Sequence, residues 1–185
     1  MVMKRVILLA ACLALSVPYA ASADDFDYSY GEGSIVSMSP AHGGGSLTGG
    51  GFDGSYAFTS QLHGIAGFQH VSCCSVSQNT FDLGGGWNTK LAEQVGLFVD
   101  GEFLSMNASG NGNHTGWGAT GGLRAWLMPQ FEFDGYVNHT DINSNTENTL
   151  GVRALYSIDF HWRVFAGYAN NSEADTFMIG ARYAF

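Results

Sequence analysis

The chain has 185 residues, a length that fits one domain. Only 12% of residues are charged while aromatics reach 14% and glycines number 26, which excludes disorder, since that needs dense charge and few aromatics. Seven Lys and Arg against sixteen Asp and Glu exclude a basic nucleic-acid binder, and outside the N-terminus no apolar run approaches the roughly 20 residues of a helical membrane span.

In chain order, the first element is an address. Lys4 and Arg5 precede an almost continuously apolar run over 6–17; Pro18 breaks it, and Ala21-Ser22-Ala23 supplies small residues before Asp24. These are the three regions of a secretory signal peptide, predicted to be cleaved after residue 23. The run is too short for an anchor and lacks a stop-transfer flank. Leu9-Ala10-Ala11-Cys12 resembles a lipoprotein box, but cutting there leaves a very short apolar core. Cleavage after residue 23 removes Lys4, Arg5 and Cys12. The mature chain, 24–185, then carries five cations (Lys90 and four arginines) against sixteen acids, hence a net charge of −11. Cys73 and Cys74 remain side by side, which is no disulfide framework, because spaced pairs are needed to close loops.

From there the chain alternates with period two, the mark of strands with two unlike faces. Residues 26–38 begin with Phe26, Tyr28 and Tyr30, but Glu32 falls on the same parity, so this segment needs a bulge or an inward aromatic face. Phe52, Gly54, Tyr56 and Phe58 alternate with Asp53, Ser55 and Ala57. Over 61–72, Leu62, Gly64, Ala66 and Phe68 oppose His63, Ile65 and Gln69. Phe81, Leu83, Gly85 and Trp87 follow, then Val95, Leu97, Val99, Gly101 and Phe103 with Asp100 and Glu102 between them. Trp117 to Leu127 encloses Arg124 on its second face; Phe131, Phe133, Gly135 and Val137 enclose Glu132 and Asp134. Leu150 to Tyr156 encloses Arg153, and Trp162 to Tyr168 encloses Arg163. Finally Phe177, Ile179, Ala181, Tyr183 and Phe185 alternate with Met178, Gly180, Arg182 and Ala184.

That predicts about ten strands, with an eight-stranded barrel and two rim extensions as the alternative. The connections at 59–60, 90–93, 128–130 and 158–160 read as tight turns. Those at 39–46, 71–78, 105–114, 139–148 and 170–174 read as longer loops rich in Gly, Asn and Ser. Short turns at one end and longer loops at the other is the layout of an antiparallel transmembrane β-barrel of the outer membrane. A soluble sandwich or lipocalin-like barrel would turn its apolar face inward and its charges outward. Five cations are too few for such a surface. All four arginines share the face opposite the aromatic one, in company with Asp100, Glu102, Glu132 and Asp134. Lipid outside and polar groups inside accounts for both facts. Trp87, Trp162, Tyr168, Tyr183 and Phe185 near strand ends fit interfacial girdles.

The signal peptide, Tyr28-Ser29-Tyr30-Gly31-Glu32-Gly33, Gly54-Ser55-Tyr56-Ala57-Phe58 and the Ile179-Gly180-Ala181-Arg182-Tyr183-Ala184-Phe185 ending carry a resemblance. The chain resembles the small proteobacterial outer-membrane barrels of the OmpA-like superfamily, over its whole mature length. The resemblance implies an outer-membrane location, reached through the periplasm with the help of chaperones. It also implies that the terminal strand (Phe177, Ile179, Tyr183, Phe185) is an assembly signal read by the barrel-assembly machinery. No periplasmic peptidoglycan-binding domain is expected after Phe185, so wall anchoring is not carried over.

The inward charges Asp100, Glu102, Arg124, Glu132, Asp134, Arg153, Arg163 and Arg182 form the candidate lumen network. Arg124 and Asp134 lie equally far from the 128–130 turn and are expected to face each other, with guanidinium forks on carboxylates plugging a narrow lumen. The alternative is a small pore, lined by inward glycines and favouring cations because acids are in excess. An enzyme is not expected. His70 and Ser72, two apart, share a strand side and would suit a base and nucleophile in a lipid-modifying enzyme. They have no evident third member. His42, His70, His114 and His139 near the outer rim, with Cys73 and Cys74, have no metal-ligand spacing. The sequons at Asn107, Asn113, Asn138 and Asn170 read as polar loops, and the glycine-rich stretch 43–51 lacks the lysine of a phosphate loop. No cofactor and no nucleic-acid partner is expected. The sequence points to a structural or surface-interaction role in the envelope, with outer-membrane lipids as the surroundings.

Overall fold

The computed structural model describes residues 26–110 and 112–185. The expected signal peptide, 1–23, lies outside the described residues. Ten strands form: β1 (Tyr30–Pro40), β2 (Leu47–Ala57), β3 (Leu62–Cys73), β4 (Val76–Ala92), β5 (Val95–Ala108), β6 (Gly112–Met128), β7 (Phe131–Ile142), β8 (Asn145–Ser157), β9 (Trp162–Asn170) and β10 (Ala174–Ala184). Each pairs antiparallel with its neighbours in sequence, and β1 closes on β10. Closure satisfies the backbone of every strand without an edge, which a sheet surrounded by lipid requires. The ten-stranded expectation holds and the eight-stranded one does not.

The faces divide as the alternation demands. Ile35, Phe52, Phe68, Leu83, Val99, Trp117, Val137 and Ile179 point outward and are exposed. Glu32, Arg124, Glu132, Asp134, Arg163 and Arg182 point inward and are buried. A soluble barrel has the reverse. Glu32 needs no bulge: β1 pairs without interruption on both sides, and the aromatic face around Tyr30 turns inward with it. The Arg182 guanidinium lies 3.9 Å from the Tyr30 ring centroid, a cation–π contact inside the barrel. Aromatic belts ring the outside. At the end bearing the short turns sit Tyr56, Trp87, Phe131, Tyr156, Trp162 and Tyr183, with Trp162 edge-on to Tyr183 at 5.0 Å. Trp117, Tyr168 and Phe177 mark the opposite boundary.

The expected long loops are mostly strand. β3 and β4 are joined by residues 74–75 and β7 and β8 by 143–144. Asn143 and Ser144 both take the left-handed backbone (φ 53° and 65°) of a two-residue hairpin turn. β4 and β6 are 17 residues each, well beyond the roughly 9–11 that cross a bilayer, so the sheet continues past the lipid. There its outer face is Ser, Thr, Asn and His, a composition that reads as loop. His70 and Asn79 bond across β3–β4 at 2.8 Å, and His139 and Asn148 across β7–β8 at 2.8 Å. Asn138 likewise sits in a strand, donating to Thr120 Oγ1 at 2.7 Å. Only residues 41–46 form a longer connection at that end.

Two trios of strands match each other. β2–β3–β4 and β8–β9–β10 share register and outward apolar pairs: Leu62 pairs with Trp87 as Trp162 does with Tyr183, and Phe68 with Phe81 as Tyr168 does with Phe177, while inside Asp53 and Arg153, opposite in charge, each face a glycine, Gly67 and Gly167. Their turns match too. Thr59 Oγ1 accepts from the Leu62 amide at 2.9 Å, and Asp159 Oδ1 accepts from the Trp162 amide at 2.7 Å.

Candidate functional site: a lumen divided by charge

The four arginines among the described residues lie inside the barrel toward the turn end, on β6 and β8–β10. Arg124 Nε donates to Glu132 Oε1 at 2.7 Å, and its Nη2 reaches the same oxygen. Arg163 reaches Glu132 Oε2 at 3.4 Å, and Arg182 Nη1 is 4.0 Å from Glu132. Glu32 takes Arg182 at 2.7 Å and Arg153 at 2.8 Å; Arg153 also holds Asp134 at 3.0 Å. Arg124 and Asp134 are cross-strand neighbours, as their equal distance from the turn predicts, with Nε and Oδ1 3.5 Å apart. The result is a lattice of arginine forks and three buried carboxylates: Glu32, Glu132 and Asp134. Removing water from such charges is costly, and only mutual pairing offsets it.

Asp100 and Glu102 do not join that lattice. They lie on the other wall, on β5, with Asp53 of β2 and Asp82 of β4. A Cβ at Gly67 would run into the carboxylates of both Asp53 and Asp82, so the absence of a side chain there gives them room. Among the described residues, Asp53, Asp82 and Glu102 form no ion pair; Glu102 accepts from the Asn138 amide at 3.3 Å. Asp100 accepts from His63 Nε2 at 2.9 Å, and the Asn88 amide donates to His63 Nδ1 at 3.2 Å, which leaves the proton on Nε2. A cavity of about 310 Å³ separates the two walls, running from Tyr28 and His63 up to Val36 and Gln69.

The segment before β1 closes this cavity at the turn end. Phe26 is 9% exposed, packs against Trp126 with centroids 6.1 Å apart, and fills the space over Gly96. The Asp27 carboxylate takes Arg163 at 2.9 Å, and its carbonyl accepts from Arg124 at 3.0 Å. Tyr28 stacks on His63 at 4.8 Å, and its carbonyl accepts from Ser55 Oγ at 2.7 Å. The network expected from sequence thus omits Asp27, Glu32, Asp53, Asp82, His63 and the strap that carries Asp27. The parity of Asp53 and Asp82 with their apolar neighbours is a usable signal. For Asp27 there is none, because the strap is not a strand.

The other candidates are dispersed. His70 and Ser72 do share a face, but it is the outer one, and the His70 ring is engaged by Asn79. His42 is exposed, 4.0 Å from Glu173. Among the described residues no three His, Cys, Asp or Glu side chains come together as metal ligands. The Cys73 and Cys74 sulfurs are 3.0 Å apart as free thiols. At the terminal strand, Phe177, Ile179, Tyr183 and Phe185 all face outward, into the lipid belt and its lower girdle.

No protein-family model matches the chain, and no curated protein matches it. Solved structures do. A KdgM porin in complex with disordered oligogalacturonate superposes with a TM-score of 0.53 at 14% identity, covering 83% of this chain and 99% of that one. The KdgM porin alone gives 0.53 at 12%, covering 83% and 99%. The N-terminal β-barrel domain of Pseudomonas aeruginosa OprF gives 0.46 at 11%, covering 86% and 100%. These likenesses are of fold. With the closed barrel and its lipid-facing exterior, the two KdgM likenesses place the chain among outer-membrane β-barrel proteins.

Proposed function

We propose that this barrel has a structural or surface-interaction role in the outer membrane and that its lumen is sealed at rest. The observation that carries this reading is the filled turn end: an arginine–carboxylate lattice on one side and the 26–28 strap on the other. Barrels of about eight strands are filled by their own side chains, and this one, two strands wider, is filled at its turn end with a cavity above. We place it in the OmpA-like superfamily on the residues at 28–33, 54–58 and 179–185, with a signal peptide over 1–23. The turn end, where both Phe26 and Phe185 lie, faces the periplasm, as short turns do in such barrels. The purified protein in planar bilayers is expected to give no stable conductance. Reproducible single-channel steps from the unaltered chain would overturn the sealed reading.

A second reading, a small cation-preferring pore, is favoured by Asp53, Asp82 and Glu102, which have no ion-pair partner among the described residues and share one wall. It differs in outcome: small cation-selective steps from the unaltered protein. Biogenesis through periplasmic chaperones and the assembly machinery, with β10 as the signal, belongs to the same proposal.

A further inference from the structure

The two walls of the lumen are closed by different means at the turn end. On β6–β10 the barrel's own side chains interlock: Glu132 alone meets Arg124, Arg163 and Arg182. On the opposite side the barrel contributes the Asn88–His63–Asp100 chain, for which Gly86 makes room, and the remaining space is taken by the strap, with Phe26 over Gly96 and Tyr28 over His63. Above them the cavity begins at once, with Asp100 and then Asp82, Asp53 and Glu102 along its wall.

We propose that the strap of Phe26, Asp27 and Tyr28 is a displaceable stopper, and that withdrawing it opens a cation-conducting path along the acid wall of β2–β5. This rests on the sealed reading and adds a second, open state to it. Three features favour displacement over permanent plugging. The strap is outside the sheet, so its withdrawal breaks no ladder between strands. Its one ion pair among the described residues, Asp27 with Arg163, has a carboxylate side chain that is 41% exposed, where water and salt compete for it. Arg163 and Arg124 each keep Glu132 when Asp27 leaves, so neither guanidinium is stranded. The path then runs past four carboxylates. Of these only Asp100 has a charge-capable partner among the described residues, the ring of His63. The cavity is lined by six carboxylates against two guanidiniums, Arg124 and Arg153, both of them held by carboxylates of the lattice, and a narrow passage with such an acid excess concentrates cations.

The test is conductance of the full chain in planar bilayers, with folding of every sample checked by its mobility shift on boiling. Two variants attack the stopper from opposite sides. The double substitution Phe26→Ala with Asp27→Ala weakens the strap. Gly96→Ala leaves the strap intact but puts a methyl 2.9 Å from the Phe26 ring, which must move. Both are expected to show steps that the unaltered protein lacks, with potassium several-fold more permeant than chloride. Phe160→Ala, at a turn side chain 87% exposed, is expected to stay silent. Folded but silent strap variants would overturn the stopper. If the double variant fails to fold, Gly96→Ala decides by the same criterion. Chloride-selective steps would overturn the acid-wall path. An unaltered protein that conducts as much as the variants would overturn both the stopper and the sealed reading. Silence of all samples would overturn the stopper alone.

Discussion

Arg182 has a fully buried side chain, held between Glu32 on one side and the face of Tyr30 on the other. Truncating it leaves the buried Glu32 with Arg153 as its remaining cationic partner among the described residues. Breaking a buried pair from one side costs about 3–5 kcal/mol. Arg182→Ala should therefore lower the temperature at which the folded band converts to the unfolded one on an unheated-versus-heated gel series. Asp159 is a simpler case, at a turn outside the lipid. The Trp162 and His161 amides hold its carboxyl below the ordinary range. A depressed carboxylate contributes stability above the unfolded-state pKa, and the contribution is lost as pH falls through the lower folded value. Asp159→Ala should be less stable than the unaltered protein at about pH 7, and the gap should close below about pH 4. A gap of equal size at both pH values would assign the effect to packing.

Elements explain what is legible in the sequence. Period-two alternation fixes which face each residue joins, so the order of residues alone places all four arginines and Glu132, Asp134, Asp100 and Glu102 inside. Hairpin arithmetic even pairs Arg124 with Asp134. Contacts between strands far apart in the chain obey no such rule. Glu32 and Arg182 are register partners across 150 residues of sequence that only closure of β1 on β10 creates, and Glu32 reaches past β10 and β9 to Arg153 of β8. The division of the acids into a set paired with arginine and a set away from it depends on barrel circumference, which alternation does not encode. The strand extensions escape sequence reading for another reason. Past the lipid a strand has two polar faces, so the signal that identifies strands disappears while the hydrogen-bonded ladder continues. At β10, Tyr183 and Phe185 serve both the girdle and the proposed assembly signal. Substituting Phe185 by Ala, which leaves the Trp162–Tyr183 contact intact, should reduce the amount of folded barrel in outer-membrane fractions. Purified, refolded protein should keep its heat-modifiable shift; loss of that shift would mean the residue acts through stability.

At the scale of the whole molecule, the barrel has an inside with two chemically different halves and an outside that is nearly uniform. Low overall charge, abundant glycine and balanced hydropathy follow from that arrangement: few cations, with the four arginines turned inward, and glycines where backbone or carboxylates come close. A cylinder closed by a continuous ladder is expected to resist detergent until heated. The unboiled protein is expected to migrate differently from the boiled protein, and identical migration would count against a closed barrel.

The matching trios β2–β4 and β8–β10 carry a constraint on what this chain can become. At equivalent places one trio has Asp53, His63 and Gly86, and the other has Arg153, Arg163 and Arg182. Each glycine between them, Gly67 and Gly167, accommodates what its own trio projects. A barrel carrying the second trio twice would gain three arginines and lose Asp53 and Asp82, leaving only Asp100 and Glu102 on that wall to hold them. One carrying the first trio twice would leave Glu32, Glu132 and Asp134 with Arg124 alone. The two trios share a template yet cannot replace one another, so the barrel's near-symmetry in backbone is stable only because it is broken in charge.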